Sequence, residues 1–383
     1  MGVYQDLMSV RTQNDSLKGI VKRASWAVSV QGVDITNEIN RDLLSMTVTD
    51  NEEDEADDLQ ITLADKDGKW IKYWLNDSIQ AAAKTKELEF RVWIGTLDSD
   101  GKILQQKCGT FTLDSIQHSG PPSKLVIKCI SLDFGGGIRD EKRSKAWEGY
   151  TLQGIARDIA NVGKLELMYC SDKSFYYPYQ EQSEETDIGF LKRMCQNAGM
   201  ALKCIDNKLV LFDKDTYGAG DPIRTISYGG NYTKWNLSTT SGDVTYDMCS
   251  VRYMDPATKK LIEGTVFTDD YDKRNPEHTE LIITDVRVTS VAEALQIAEQ
   301  QLKLHNQYEK TAQFTFQGDP TLMAGLTVFL SGFGYFDGKY MIKKCEHSIS
   351  ASGYTTKITL RTIPAVNETQ NYVSLAYSSK NGG

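Results

Sequence analysis

Apolar and polar positions alternate through several short segments of the first 140 residues. In segment 59–65, Leu59, Ile61 and Leu63 fall on one face, and the same period recurs in 88–95 and 123–133. Because successive side chains of a strand point to opposite faces, this pattern predicts half-buried antiparallel strands, and its repetition predicts a sandwich or barrel. Segment 69–86 breaks the alternation and is predicted to be a loop or short helix inserted between strands.

The period changes to that of a helix between residues 141 and 225. Two apolar stripes have helical spacing: Leu152, Ile155, Ala156 and Ile159, and then Phe190, Leu191, Met194, Cys195 and Ala198. Thr151 is the expected N-cap and Gly163 the expected stop of the first helix. Thr186 or Asp187 is the expected cap of the second helix, and Gly199 its stop. These residues predict a small α/β module.

A hairpin turning at Asp206-Asn207 is predicted to complete that module. From about residue 226 strand patterns return, interrupted by one predicted helix over 289–307. Ser290 is its expected cap and Glu293 completes a capping box. The predicted organisation has four parts: β residues 1–140, the α/β module 141–225, β residues 226–363, and a polar tail 364–383 that is either disordered or ordered by a partner.

Composition narrows the class of protein. The chain has 383 residues, of which 40% are hydrophobic, and its formal net charge is −9. This charge argues against a sequence-specific nucleic-acid surface. No apolar run is long enough for a membrane anchor, and no secretory signal is visible. The seven cysteines are scattered without a CxxC motif, which predicts reduced, buried thiols rather than disulfides or a zinc site.

Seven of the nine residues from Asp50 to Asp58 are acidic. A calcium loop, a carboxylate active site and a solvated turn are the alternatives. The neighbouring "DKDG" fails the EF-hand pattern, because Gly68 comes two positions early and the twelfth residue is Asn76. We therefore expect "DKDG" to be a turn and the acidic run to be a solvated loop or partner-facing edge. The expected protein-interface residues are Asp50, Glu52, Glu53, Asp54, Glu55, Asp57, Asp58, Tyr372 and Tyr377.

No set of catalytic residues emerges from the sequence. The four histidines lie in different predicted elements, and no G-x-S-x-G, H-E-x-x-H or P-loop motif is present. His347, in a predicted strand, is expected to be structural. We predict no catalytic residue, no metal and no cofactor, so binding or assembly is the leading functional class and the protein is not expected to be an enzyme.

Three stretches together resemble the late control gene D proteins, a family that includes contractile-tail baseplate hubs and the hub portion of VgrG. They are "LQITLADKDGKW", the middle-module run from "YTLQGIARDIANVGKLEL" to "NKLVLFD", and "GDPTLMAGLTVFLSGFGYFDGKYMIKKCEHSISASGYTTKITL". The resemblance implies a mainly β protein with two tube-like antiparallel β-barrel domains, 1–140 and 226–363, and a small α/β module between them.

The resemblance also implies a function and partners. Such hubs are homotrimers whose six barrels form a pseudo-sixfold ring between the sixfold tail tube and the threefold spike. The implied partners are the tail tube or tube-initiator protein, the central spike protein, the tape-measure protein and the baseplate wedge proteins. The implied location is the tail baseplate of a virion or of a phage-tail-like bacteriocin (a tailocin). Both particles are contractile injection systems. Both would be assembled in the bacterial host cytoplasm.

Two alternatives remain open. One is a tail-associated cell-wall hydrolase, for which the tail after the last strand is too short to supply a catalytic domain. The other is a carbohydrate-binding protein for host recognition, which would need exposed aromatic residues clustered in one groove. The segment "FYYPYQ" (175–180) is the candidate for such a groove.

Overall fold

A computed structural model describes residues 23–53, 56–74, 88–97, 103–131, 137–239, 245–272 and 279–366. The predicted class, mainly β with a small α/β module, is confirmed: 54% of the described residues are in strands and 19% in helices. None of the helices in these ranges is long and apolar enough to span a lipid bilayer.

The first β unit comprises residues 23–131. Its strands are β1 Arg23–Val30, β2 Val33–Asp34, β3 Leu43–Asn51, β4 Asp58–Ala64, β5 Glu89–Leu97, β6 Ile103–Ser119 and β7 Lys124–Ile130. Two short helices, α1 Thr36–Asn40 and α2 Lys69–Trp74, lie between strands. Leu59, Ile61 and Leu63 of β4 are at most 1% exposed, so the face predicted by the alternation is the buried one.

The middle module comprises residues 137–219. Its elements are β8 Lys142–Thr151, α3 Leu152–Val162, β9 Glu166–Cys170, β10 Tyr176–Thr186, α4 Asp187–Ala198, β11 Met200–Ile205, β12 Lys208–Asp213 and α5 Lys214–Ala219. The predicted caps are confirmed: the Thr151 hydroxyl accepts from the Gly154 N–H, and the Thr186 hydroxyl from the Gly189 N–H. Asp206 and Asn207 both have positive φ, as the predicted hairpin turn requires.

The two helices of this module end differently. Gly199 is left-handed, with φ of 69°, as predicted for the stop of α4. Helix α3 ends at Gly163 as predicted, but this glycine has a φ of −78°, and the next residue, Lys164, takes the positive φ of 55°. The Ile138 Cδ1 atom lies 2.5 Å from where a Gly163 Cβ would be, so any larger residue at this position would have to displace the Ile138 side chain.

The second β unit comprises residues 224–366. Its elements are β13 Arg224–Ser227, β14 Lys234–Thr239, β15 Met248–Asp255, β16 Lys260–Phe267, β17 Glu280–Ile283, α6 Val291–Asn306, β18 Lys310–Gln317, β19 Thr327–Ser331, β20 Gly338–Ser350 and β21 Gly353–Thr362. Ser290 caps α6 as predicted, because its hydroxyl accepts a hydrogen bond from the Glu293 N–H. The Glu293 carboxylate accepts a hydrogen bond from the Thr289 N–H, whereas a capping box would have it accept from the Ser290 N–H.

One continuous sheet runs through both β units. Its strand order is β14-β18-β21-β20-β3-β4-β7-β6-β5-β1-β2, with β19 pairing β20 and β13 pairing β19. The units meet where β3 and β20 pair in antiparallel register, from Ser45 opposite Ser350 to Asn51 opposite Lys344. Strands β15 to β17 form a separate sheet on which α6 packs, so the second unit contains a small α/β layer as well as its share of the large sheet.

Helix α6 approaches β16 closely at Gly264. A Cβ at this glycine would lie 2.6 Å from the Leu295 backbone nitrogen and 2.9 Å from the Ala294 carbonyl carbon. Because backbone atoms cannot rotate away, we expect Gly264→Ala to lower the free energy of unfolding by about 1–3 kcal/mol, measured by denaturant titration. Gly220→Ala is the matched control: its φ is −55° and its nearest atom is at 3.4 Å, so its cost should be near zero. Equal costs for the two variants would contradict this interpretation.

Candidate functional site

The acidic run Asp50–Asp58 lies where the three units meet. Asp50 and Asn51 end β3, Asp58 begins β4, and β3 is the strand that pairs with β20 of the second β unit. The connection between β3 and β4 therefore borders the second unit, and its side chains also reach the middle module. We call this region the acidic junction: residues 50–53 and 56–58 with their cationic partners Lys203, Lys214 and Arg361.

Glu52 and Arg361 form a buried ion pair across the two β units. Glu52 is 2% exposed and Arg361 5%. The Arg361 Nε donates to Glu52 Oε2 at 2.8 Å, and its Nη2 donates to Oε1. Burial opposes the charge of Arg361, but attraction to Glu52 outweighs burial, so the pKa of Arg361 lies above its ordinary value. The bidentate geometry fixes the orientation of both side chains as well as their separation.

A second cluster joins the first β unit to the middle module. The Lys203 ammonium donates to Asp50 Oδ1 and to the Asn51 carbonyl at 2.7 Å, and lies 3.3 Å from Asp57 Oδ2. The remaining oxygens are also used, since Asp57 Oδ1 accepts from the Asn51 N–H and Asp50 Oδ2 accepts from the Ala324 N–H, each at 2.8 Å. The Lys203 ammonium thus forms ion pairs with two carboxylates, and the hydrogen bond from Ala324 connects the cluster to the second β unit.

The environment of Asp57 perturbs its titration. Burial raises the pKa of Asp57 to about 7; Lys203 opposes this rise and the neighbouring charge of Asp50 adds to it. A carboxyl group with this pKa exchanges its proton near neutral pH, although the side chain is only 3% exposed. The junction therefore contains a group whose charge depends on pH in the neutral range.

Glu53 completes the set of ion pairs. Its carboxylate lies 2.7 Å from the Lys214 ammonium at the start of α5. The expectation that the acidic run is solvated is therefore wrong for Glu52, Glu53 and Asp57, because each is paired within its own chain and Glu52 and Asp57 are buried. Asp58 is partly buried. Asp54, Glu55, Tyr372 and Tyr377 lie outside the described residues. Contact of any of these residues with another subunit stays a prediction.

The "DKDG" segment is a turn, as predicted. Gly68 has φ of 63°, and the Asp65 carboxylate accepts from the Trp70 N–H at 2.9 Å and from the Ile71 N–H at 3.2 Å. His118 Nε2 lies 2.9 Å from the same carboxylate. Asp65 thus acts as a local cap for α2. Within the described ranges, no three His, Cys, Asp or Glu side chains are grouped so as to hold a metal ion.

His347 is structural, in agreement with its prediction. It is 2% exposed, its Nδ1 lies 2.8 Å from the Tyr354 hydroxyl, and its Nε2 lies 3.1 Å from the Leu322 carbonyl. The Cys345 sulfur lies 3.3 Å from Nε2. Burial lowers the pKa of His347 and raises that of Cys345 well above its ordinary value. This pair therefore keeps a neutral thiol, the opposite of what an activated nucleophile requires.

No family model matches the chain, but its sequence is similar to those of two phage proteins. It is 30% identical over 210 residues to the probable baseplate hub protein of Escherichia phage 186, covering 54% of this chain and 50% of that protein. It is 35% identical over 167 residues to the probable baseplate hub protein of Escherichia phage P2, covering 43% and 39%. The matched segments thus span half the length of these relatives or less. The predicted resemblance to baseplate hub proteins is confirmed.

Solved structures share the fold. A 43 kDa tail protein of prophage MuSo2 from Shewanella oneidensis has a TM-score of 0.64 at 15% identity, covering 88% of this chain and 97% of that one. A tail protein from Neisseria meningitidis has the same TM-score and identity, with coverage of 89% and 97%. A type VI secretion component from E. coli has a TM-score of 0.52 at 10% identity, with coverage of 91% and 79%.

Proposed function

We propose that the chain is a structural subunit of a phage-tail baseplate hub, in a virion or a tail-like bacteriocin particle. The observation that carries this proposal is the sequence match to two baseplate hub proteins, with the fold of phage tail proteins as support. The subunit assembles as a homotrimer that adapts the sixfold tail tube to the threefold spike. Its partners are the tube or tube-initiator, spike, tape-measure and wedge proteins.

The acidic junction suits such a subunit. Three ion-pair clusters and the β3–β20 pairing hold two β units and the middle module together. Ring formation by three chains requires that the two β units of each keep a fixed mutual orientation, because an error there would be repeated at every interface. The junction supplies that fixed orientation from within one chain.

An exposed aromatic surface is the candidate subunit contact. Tyr228 is 65% exposed and Trp235 47%. Trp235 belongs to β14, the strand at one end of the large sheet, and the centroid of the Tyr228 ring lies 6.1 Å from that of the Trp235 ring. Exposed aromatic side chains at a sheet edge are typical of surfaces that a partner covers. In the trimer this surface meets a neighbouring subunit.

We expect native mass spectrometry to give three times the 42.9 kDa mass of one chain. Trp235→Lys should raise the trimer dissociation constant at least tenfold, because large aromatic residues carry much of the binding energy of interfaces. Val162→Lys, at a 43% exposed site on α3, is the control and should leave the trimer intact. A monodisperse wild-type monomer at micromolar concentration, with no binding to tube or spike protein, would refute the proposal.

A further inference from the structure

A groove of about 700 Å³ lies between the middle module and the second β unit. Residues of β10 and α4 line it on one side, and residues of segment 285–290 and of the first half of α6 line it on the other. Its volume falls within the range of roughly 300–1,000 Å³ that is typical of small-molecule sites. The chemistry of its lining therefore indicates which class of ligand it can take.

One short segment supplies aromatic side chains to this groove. Segment 175–180, "FYYPYQ", has four aromatic residues, and all of them line the groove: Phe175, Tyr176, Tyr177 and Tyr179. Tyr176 is 63% exposed, so most of its ring is uncovered. The Arg287 guanidinium lies 4.9 Å from the centroid of the Tyr179 ring and covers one face of that ring. Tyr176 is therefore the ring on which a ligand can stack.

Tyr177 adds a hydroxyl group that has no partner. The residue is only 8% exposed and lines the groove, and its hydroxyl forms no hydrogen bond within the described ranges. Burial raises the pKa of Tyr177, and the Glu293 carboxylate on α6 adds to this rise, so the hydroxyl keeps its proton and can donate. A hydroxyl that is largely removed from water without a hydrogen bond costs free energy, which a ligand with a matching group recovers.

Three planar polar groups accompany this hydroxyl: the side-chain amides of Gln180 and Gln296 and the guanidinium of Arg287. None of these three side chains forms a hydrogen bond in the part of the chain that the structure describes. Each amide offers two N–H donors and an acceptor oxygen, and the guanidinium offers donors alone. The groove thus presents both donors and acceptors that the protein itself does not use.

Charge and hydrogen bonding together select a neutral ligand. Four carboxylates and two guanidinium groups line the groove, and this negative balance disfavours an anion. The Arg193 guanidinium is already paired with Glu185 at 2.6 Å. A cationic ligand would suit the carboxylates, but an ammonium or guanidinium only donates and would leave the donors of Tyr177, the amides and Arg287 unpaired. A hydroxyl group both donates and accepts, so a neutral polyhydroxylated ligand satisfies both kinds of group.

We propose that this groove binds a neutral oligosaccharide built from equatorially substituted pyranose rings. The axial C–H bonds of one sugar ring carry partial positive charge and pack on the negative face of the Tyr176 ring. The sugar hydroxyls form hydrogen bonds with Tyr177, Gln180 and Gln296. A pyranose ring fills roughly the space of five to six water molecules of about 30 Å³ each, so the groove accommodates about four rings. The proposal does not depend on the hub function.

Titration of the full chain against two neutral β-1,4-linked tetrasaccharides, cellotetraose and tetra-N-acetylchitotetraose, followed by ligand-observed NMR, tests the proposal. We expect saturable binding of at least one of them, with a dissociation constant on the order of 1 mM or lower. Tyr176→Ala should weaken that binding about tenfold, because the stacking ring is lost. Tyr335→Ala is the matched control: this tyrosine is 61% exposed and does not line the groove, so the affinity should not change.

Tyr177→Phe separates binding from folding. Because the hydroxyl has no partner in the protein, its removal should leave the denaturant midpoint unchanged or raise it, whereas the affinity should fall about three- to tenfold.

Three outcomes would overturn the proposal. One is the binding of neither tetrasaccharide at about 10 mM. Another is binding that is indifferent to both Tyr176→Ala and Tyr177→Phe, which would place the saccharide elsewhere on the chain. The third is tighter binding of acetyl-tetralysine than of either tetrasaccharide, which would assign the groove to a basic polypeptide.

Discussion

Replacing Arg361 with methionine is expected to lower the free energy of unfolding by about 3–5 kcal/mol, because Glu52 would remain buried without its counterion. The loss should appear as a lower denaturant midpoint, followed by tryptophan fluorescence. Replacing both partners, Glu52→Leu with Arg361→Met, should recover most of the loss or exceed the wild type, because no charge then remains to be desolvated. The cost therefore belongs to the orphaned carboxylate and not to the missing attraction alone.

An exposed ion pair provides the matched control. Lys208 and Glu166 lie 3.3 Å apart with side chains 25% and 66% exposed, so Lys208→Met should cost less than about 0.5 kcal/mol. If Arg361→Met costs no more than Lys208→Met, the buried pair does not hold the two β units together in the way described here. A double variant as unstable as the single Arg361→Met variant would argue that shape, not charge, is what matters at this position.

The second large effect is a change in the pH dependence of stability on replacing Asp57 with asparagine. The pKa of Asp57 is about 7 in the folded protein and 3.8 ordinarily, so between these values the native chain keeps a proton that the unfolded chain has lost. The free energy of unfolding of the wild type therefore falls as pH rises from about 4 to 7. Asparagine has no proton to lose, and its side-chain oxygen can still accept from the Asn51 N–H.

Relative to the wild type, Asp57→Asn should therefore gain stability between pH 4 and pH 8, by on the order of 2–4 kcal/mol. Urea titrations at half-unit pH intervals would measure the difference. Asp172→Asn, which removes the same charge from an exposed position, is the control and should leave the slope unchanged. Parallel pH profiles for the wild type and Asp57→Asn would show that Asp57 titrates normally in the folded protein.

Local signals in the sequence predicted local structure well. Thr151, Thr186 and Ser290 cap the helices that their positions indicated, and Gly199 ends α4 in the left-handed conformation. These features depend on residues within one turn of each other, so they are visible in a short window. Helix α3 likewise ends at Gly163, but the contact of this glycine with Ile138, 25 residues away, is not visible in such a window.

The acidic junction could not be predicted in this way. Within its own segment the run Asp50–Asp58 contains only like charges, which is the signature of a solvated loop. Its cations come from elsewhere: Lys203 is 153 residues from Asp50, and Arg361 is 309 from Glu52. The same holds for the β3–β20 pairing, since alternation identifies both strands but not their partners. The sequence therefore singled out these carboxylates as unusual but did not predict that they are buried and paired with distant cations.

The pairing of β3 with β20 has a consequence for synthesis of the protein. Residues Ser45–Asn51 leave the ribosome long before Lys344–Ser350 are made, and translation of roughly 300 residues takes about 15–60 s. Throughout that interval the nascent chain carries an unpaired β3 edge, which neighbouring nascent chains on a polysome could join. The carboxylates that follow β3 repel one another between such chains until Lys203 and Arg361 arrive. The same residues that later bind the three units together thus first act as gatekeepers against aggregation.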